Sequence, residues 1–338
     1  MKINLHNPRL FPEETHRWGW NGVTDLILEH FHDENADIML DSMIEHTFKV
    51  GKIKGMDFRD FPHMKHKWIS IFHSPSTSLG PMTCGWEQNV FTLYADKHYR
   101  AFMENCIGMI TLSKSFALKT KIALGNMGIN IPIGFTHLPH PKSSSSFSME
   151  SFRRQVIHIG FMMRNFDSFY RLKTKYKKIL LQGPESYVKS LTSESWNISA
   201  LSFGQHDYHW SKKDLRTRHP HNCNHLKKHH LPNDQYDKIM TESVVFLDLY
   251  DSVANNAIVE CISRQTPILV NPLDSVVEYL GKDYPFYYYS LDEAAEKLED
   301  DDLIEETSVY LESRQRLVCP NKFICDLDNV LRAFCKKK

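Results

Sequence analysis

Residues 236–289 read YDKIMTESVVFLDLYDSVANNAIVECISRQTPILVNPLDSVVEYLGKDYPFYYY. The run Ser243-Val244-Val245-Phe246-Leu247 is short, apolar and rich in β-branched residues, which predicts a strand. Thr266-Pro267-Ile268-Leu269-Val270 predicts a second. Ala254 to Arg264 lies between them and is long enough for a crossover helix, so the two strands form a parallel βαβ unit. The loop after the first strand, Asp248-Leu249-Tyr250-Asp251-Ser252, is polar and leads to Asn255-Asn256 at the helix start. Backbone N–H groups at a helix start suit an anion such as a pyrophosphate. Glu260 follows one turn on, within reach of a ribose. Polar groups at the carboxyl ends of parallel strands mark the ligand site of open α/β sheets.

The same alternation extends outward in both directions. Before this stretch, Val156 to Gly160 and Lys178 to Gly183 read as further strands of the same unit. Lys2 to Leu5, Ala36 to Leu40, Trp68 to Phe72 and Ile107 to Leu112 read as strands of an earlier one. Gly22 to Phe31 is an amphipathic helix, and Ser113 is placed to cap the helix after the fourth strand. Between the two units, Pro139 to Ser148 reads PHPKSSSSFS, which is linker chemistry. Asp292 to Ser313 reads as one helix, and a last helix near Asp326 to Phe334 is expected to cross back to the first unit. The expected organisation is therefore α/β: residues 1–142, a linker at 143–152, residues 153–320, and a C-terminal helix in 321–338.

Composition narrows the function. The chain has 338 residues, enough for two cores, and a formal net charge of zero, so no global field favours nucleic acid or an anionic membrane. No stretch reads as a signal peptide or a transmembrane helix, which leaves only peripheral membrane contact open. Seven scattered cysteines, with Cys106 and Cys261 in apolar contexts, point to free thiols in a reducing, cytoplasmic setting.

The C-terminal half resembles the donor-sugar half of a GT-B glycosyltransferase, close to the large retaining family numbered four and its viral and bacterial relatives. The resemblance rests on Tyr236-Asp237, Phe246-Leu247, Asn255-Asn256, Ile258-Val259-Glu260-Cys261, Thr266-Pro267-Ile268 and Glu278-Tyr279-Leu280-Gly281; the first half matches only in layout. It implies two Rossmann-like doubly wound domains facing a cleft. It also implies a nucleotide-sugar donor, held by Gly160, Arg164, Asn255, Asn256, Glu260 and Glu278. In that family a glycine and a basic residue at the turn after this strand face the donor diphosphate, and the helix carboxylate contacts the ribose. Charge grows on the leaving diphosphate as the sugar bond breaks, and a guanidinium stabilises it. Arg164 takes that role; Arg171, Lys173 and Lys175 are alternatives for a second cation. Glu260 lies on an otherwise apolar helix, where a buried carboxylate needs a partner, and a ribose hydroxyl pair would serve. The family's companion glutamate falls on Ser252, with Asp251 beside it as a substitute, so retention is favoured over inversion without being fixed.

His73 ends a first-unit strand, where it is a general base, a sugar ligand or a histidine of a turn. Arg17, Trp18 and Trp20 offer aromatic and charged surface for an acceptor, or the tryptophans pack beneath the sheet. Two signals compete. His219, His221, Cys223, His225, His229 and His230 are dense enough for zinc but lack a finger spacing, with His225 and His229 expected on one helix face. Asp326-Leu327-Asp328 mimics a metal-binding acid pair but reads as acids at a helix start. No cofactor and no metal are expected. The resulting reading is a metal-independent glycosyltransferase acting on a glycan or other acceptor hydroxyl, against a nucleotide-sugar epimerase of the same fold or a non-catalytic sugar-binding module.

Overall fold

The computed structural model describes residues 1–6, 18–53, 57–73, 90–160, 163–182, 224–227 and 231–336. It contains two five-stranded sheets in which every pairing is parallel. The first holds β1 (Asn4–His6), β2 (Ile38–Asp41), β3 (Lys67–Phe72), β4 (Cys106–Thr111) and β5 (Ile133–Phe135), side by side in chain order. Its helices are α1 (Gly19–Phe31), α2 (Ile44–Ile53), α3 (Val90–Ala95), α4 (Lys97–Met103) and α5 (Lys114–Asn126). The Ser113 hydroxyl accepts the Phe116 N–H and caps α5, as its position predicts.

The second sheet holds β6 (Gln155–Ile159), β7 (Lys177–Gln182), β8 (Asn224–Lys227), β9 (Val244–Leu247) and β10 (Ile268–Val270), in the order β10-β9-β6-β7-β8. The chain builds outward from β6 to β8, then returns to the other side of β6 for β9 and β10. Strand order therefore reverses between β6 and β9, and the loops leaving these two strands diverge there. Such a switch point is where open parallel sheets bind ligands. All four residues of β9 are fully buried, and each large apolar side chain so buried contributes about 1.5–3 kcal/mol.

The helices of this half are α6 (Phe166–Arg171), α7 (Asn233–Thr241), α8 (Asn256–Arg264), α9 (Asp274–Leu280), α10 (Leu291–Leu298), α11 (Asp301–Arg314) and α12 (Pro320–Lys336). α12 packs on the first sheet. Phe334 covers Gly108 of β4, where an added Cβ would meet its ring at 2.1 Å, and Val330 covers Gly134 of β5 at 2.5 Å. The glycines in these strands thus admit the last helix.

Several expectations need correction. Residues 292–313 form two helices, because the Asp300 carboxylate accepts the Leu303 N–H and starts α11 afresh. Asp326 and Asp328 lie inside α12, paired with Lys322 at 2.7 Å and Arg332 at 2.6 Å, so they are not acids at a helix start. His225 lies in β8 at the sheet edge, so the expected helix through 225–229 begins instead as a strand; the other residues of the histidine cluster lie outside the described residues. The Pro139–Ser148 segment is not a free linker. The Pro141 carbonyl accepts the Ser263 hydroxyl at 2.6 Å, and the Phe147 N–H donates to the Arg264 carbonyl at 2.8 Å.

Candidate active site at the β6–β9 switch point

The turn after β6 is left-handed at Gly160 (φ +75°) and at Met163 (φ +57°). It folds Arg164 back so that the guanidinium lies on Gly160, where a Cβ would sit 2.7 Å from the guanidinium carbon. Only glycine fits, for both the dihedral and the contact. This turn is joined to the loop after β9 by backbone bonds, Asn165 N–H to the Asp248 carbonyl at 2.8 Å and Tyr250 N–H to the Met163 carbonyl at 2.9 Å. The Asp248 carboxylate also accepts from Asn165 at 2.9 Å and from the Ser168 hydroxyl. Behind the loop, Asn271 uses both ends of its amide on the Leu249 backbone, each at 2.8 Å. The composition of the loops does not reveal Asp248, Asn165 and Asn271 as organisers; their partners are distant in sequence.

Asn255 is the pivot. Its buried Oδ1 accepts the Ala257 N–H, capping α8, and the Arg164 guanidinium, both at 3.0 Å. Arg164 is 8% exposed. Burial lowers its pKa to about 10, opposed by the negative charge of Glu260, so it remains a cation at neutral pH. Burial, reinforced by the Arg164 charge, pushes His158 of β6 far below the ordinary histidine value and keeps it neutral.

Glu260 is buried, and its carboxylate accepts the Tyr236 hydroxyl at 2.5 Å. Arg264 donates to the Glu260 backbone carbonyl at 3.3 Å and clamps Asp237 at 2.6 and 3.0 Å. A buried carboxylate needs a partner, and within the protein Glu260 has the Tyr236 hydroxyl and the neighbouring cations. His140, from the segment between the lobes, is also within the field of Glu260; burial lowers its pKa against that field.

The structure brings Arg164, Asn255 and Glu260 together and gives the other candidates separate settings. Asp251 is half-buried and accepts the Ser252 N–H at 2.8 Å. Asn256 is exposed in the first turn of α8. Lys173 and Lys175 pair with Asp292 and Glu299. Glu278 accepts the Lys114 and Ser115 N–H groups at the start of α5, and His137 approaches it at 2.9 Å. His73 directly follows β3, with its N–H donated to Glu45 at 2.7 Å and its ring edge-on to Trp20 at 3.8 Å. Trp20 is buried, in keeping with the packing alternative, whereas Trp18 is half-buried with its ring 5.6 Å from that of His140. Arg17 lies outside the described residues.

Solved structures share this architecture. Sucrose-phosphate synthase from Thermosynechococcus elongatus superposes with a TM-score of 0.63 at 9% identity, over 90% of this chain and 75% of that one. The fold is GT-B. HepE of Anabaena, in complex with UDP-glucose, matches this GT-B chain with a TM-score of 0.57 at 12% identity, over 89% and 79% of the two chains. S. aureus TarM, in complex with fondaparinux, alpha-GlcNAc-glycerol and UDP, gives 0.54 at 10% identity, over 87% of this chain and 55% of its own. The chain thus spans little more than half the length of TarM. No family model matches the sequence, and no curated protein matches it by sequence.

In a GT-B frame, a fixed guanidinium beside a helix N-terminus offers positive charge to a phosphate, and a nearby carboxylate offers acceptors to hydroxyl groups.

Proposed function

We propose that this chain is a glycosyltransferase that moves a sugar from a nucleoside-diphosphate donor to a hydroxyl of a glycan or other acceptor. The carrying observation is the convergence, at the reversal of strand order, of Arg164, the Asn255-capped start of α8 and the Glu260 carboxylate. In this reading Arg164 and the backbone N–H groups of α8 hold the diphosphate, and Gly160 makes room for the guanidinium. Asn255 and Asn256 border the phosphates, and Glu260 takes the ribose hydroxyls. As the bond from sugar to diphosphate breaks, the fixed cation meets the growing negative charge. These protein groups supply the charge stabilisation, so the reaction as proposed needs no metal. Asp251 stands at the sugar, in place of the glutamate replaced by Ser252, and the expected outcome is retention. The acceptor approaches from the first lobe past Trp18 and His73, where His73 contacts the reacting sugar.

The test is a thermal-shift screen of the full chain against UDP-, GDP-, ADP- and TDP-sugars. A donor present at a hundred times its Kd stabilises by about 2.7 kcal/mol, enough for a clear rise in Tm. Glu260→Gln keeps an acceptor for Tyr236 and is expected to weaken the shift with the fold intact. A screen in which no nucleotide sugar raises Tm would refute the reading.

A further inference from the structure

α9 has hydrogen-bonded partners on two sides. At its start, the buried Ser275 hydroxyl donates to the Ser252 carbonyl at 2.7 Å, holding the loop after β9. At its end, Glu278 and Tyr279 reach into the first lobe. One Glu278 oxygen accepts the Lys114 N–H at 2.6 Å and faces His137 at 2.9 Å; the other accepts the Ser115 N–H at 3.0 Å. The carboxylate thereby occupies the positive end of α5. The fully buried Tyr279 hydroxyl donates to the Leu112 carbonyl and accepts the Leu138 N–H, both at 2.7 Å. Lys119 of α5 faces Asp274 of α9 at 3.3 Å. From behind, Arg314 donates to the Tyr279 and Glu278 carbonyls at 2.9 and 3.2 Å, fixing the helix end against α11.

Val276, between these ends, and Leu280, the last residue of the helix, are fully buried. Seven residues at 1.5 Å each make a rod about 10 Å long. A packed helix moves as a unit, so displacement at one end is delivered to the other.

We propose that α9 is a strut coupling the loop after β9 to the first lobe, with Glu278 and Tyr279 as positioning residues that hold this loop in register with the carboxyl edge of the first sheet. It gives the Glu278-Tyr279-Leu280-Gly281 stretch an inter-lobe task in place of donor contact. The inference rests on the reading of 251–256 as a donor loop. Its test uses no nucleotide, so a failed donor screen and a failed strut are separate results.

Hydrogen–deuterium exchange of the ligand-free full chain, compared with Glu278→Gln, Tyr279→Phe and Ser275→Ala, supplies the measurement. Glu278→Gln and Tyr279→Phe are expected to speed exchange several-fold at residues 112–116 and 137–138, and also at 249–256, while the rest of both lobes stays protected. Ser275→Ala is expected to loosen 249–256 alone. Faster exchange confined to 112–116 and 137–138 in the two distal variants overturns the coupling. A uniform rise through both lobes marks general destabilisation and overturns it as well.

Discussion

At the scale of single residues, the sequence marks side chains whose partners it does not show. Glu260 stands out in the sequence because a carboxylate interrupts an apolar helix face. Its partner, the Tyr236 hydroxyl, comes from α7, 24 positions earlier, a distance that spacing alone does not bridge. Tyr236→Phe removes that donor and leaves a buried carboxylate short of one bond. The expected cost is about 1–3 kcal/mol, read by urea unfolding, with a smaller loss in the Glu260→Gln background, where no charge remains to satisfy. Gly160 is the complementary case: the sequence marks it through family likeness, and the structure supplies the physical cause. Gly160→Ala places a methyl against the guanidinium at a left-handed φ. It is expected to destabilise by about 1–2 kcal/mol and to abolish the nucleotide-sugar thermal shift by displacing Arg164. Retention of a full shift in a folded Gly160→Ala variant would separate Arg164 placement from donor binding.

At the scale of elements, legibility followed side-chain chemistry. β3, β4, β6 and β9 announce themselves through β-branched and aromatic residues, and β7 through the apolar run Ile179-Leu180-Leu181. β8 carries Asn-His-Leu-Lys, and β5 is three residues around a glycine; both are strands because a neighbour supplies the ladder, which local propensity does not record. The end of α9 was legible as a motif but not as a contact, since α5 lies more than a hundred and sixty positions upstream. That contact has a pH signature. Burial alone would raise the Glu278 pKa, but the bonds from His137, Lys114 and Ser115 outweigh it and hold the group below its ordinary value of 4.5. The unfolded chain therefore binds the proton more tightly, so the contribution is complete above the unfolded pKa and is lost as pH falls through the folded one. The stability gap between the native chain and Glu278→Gln is expected to be level from neutral pH to about pH 5.5 and to close in stronger acid. Parallel urea titrations across that range measure it, and a gap that survives acid would remove the carboxylate from the contact.

At the scale of the whole molecule, two sheets of different strand order make one body, held among the described residues by three connections. α12 lies on β4 and β5, the 139–148 segment is bonded along α8, and the end of α9 holds the start of α5. The buried apolar residues of both halves belong to one continuous cluster. Separate lobes with a loose connection would unfold independently, whereas lobes joined this way share their stability. The native chain is accordingly expected to lose secondary structure and tryptophan fluorescence in a single coincident urea transition. The double variant Glu278→Gln/Tyr279→Phe removes both Tyr279 hydroxyl bonds and the Glu278 charge that accepts two N–H groups and faces His137, with little change in side-chain volume. It is expected to split the transition, with the two probes no longer coinciding and the first midpoint lowered. Coincident transitions in the double variant would mean that α12 and the 139–148 segment alone suffice to couple the lobes.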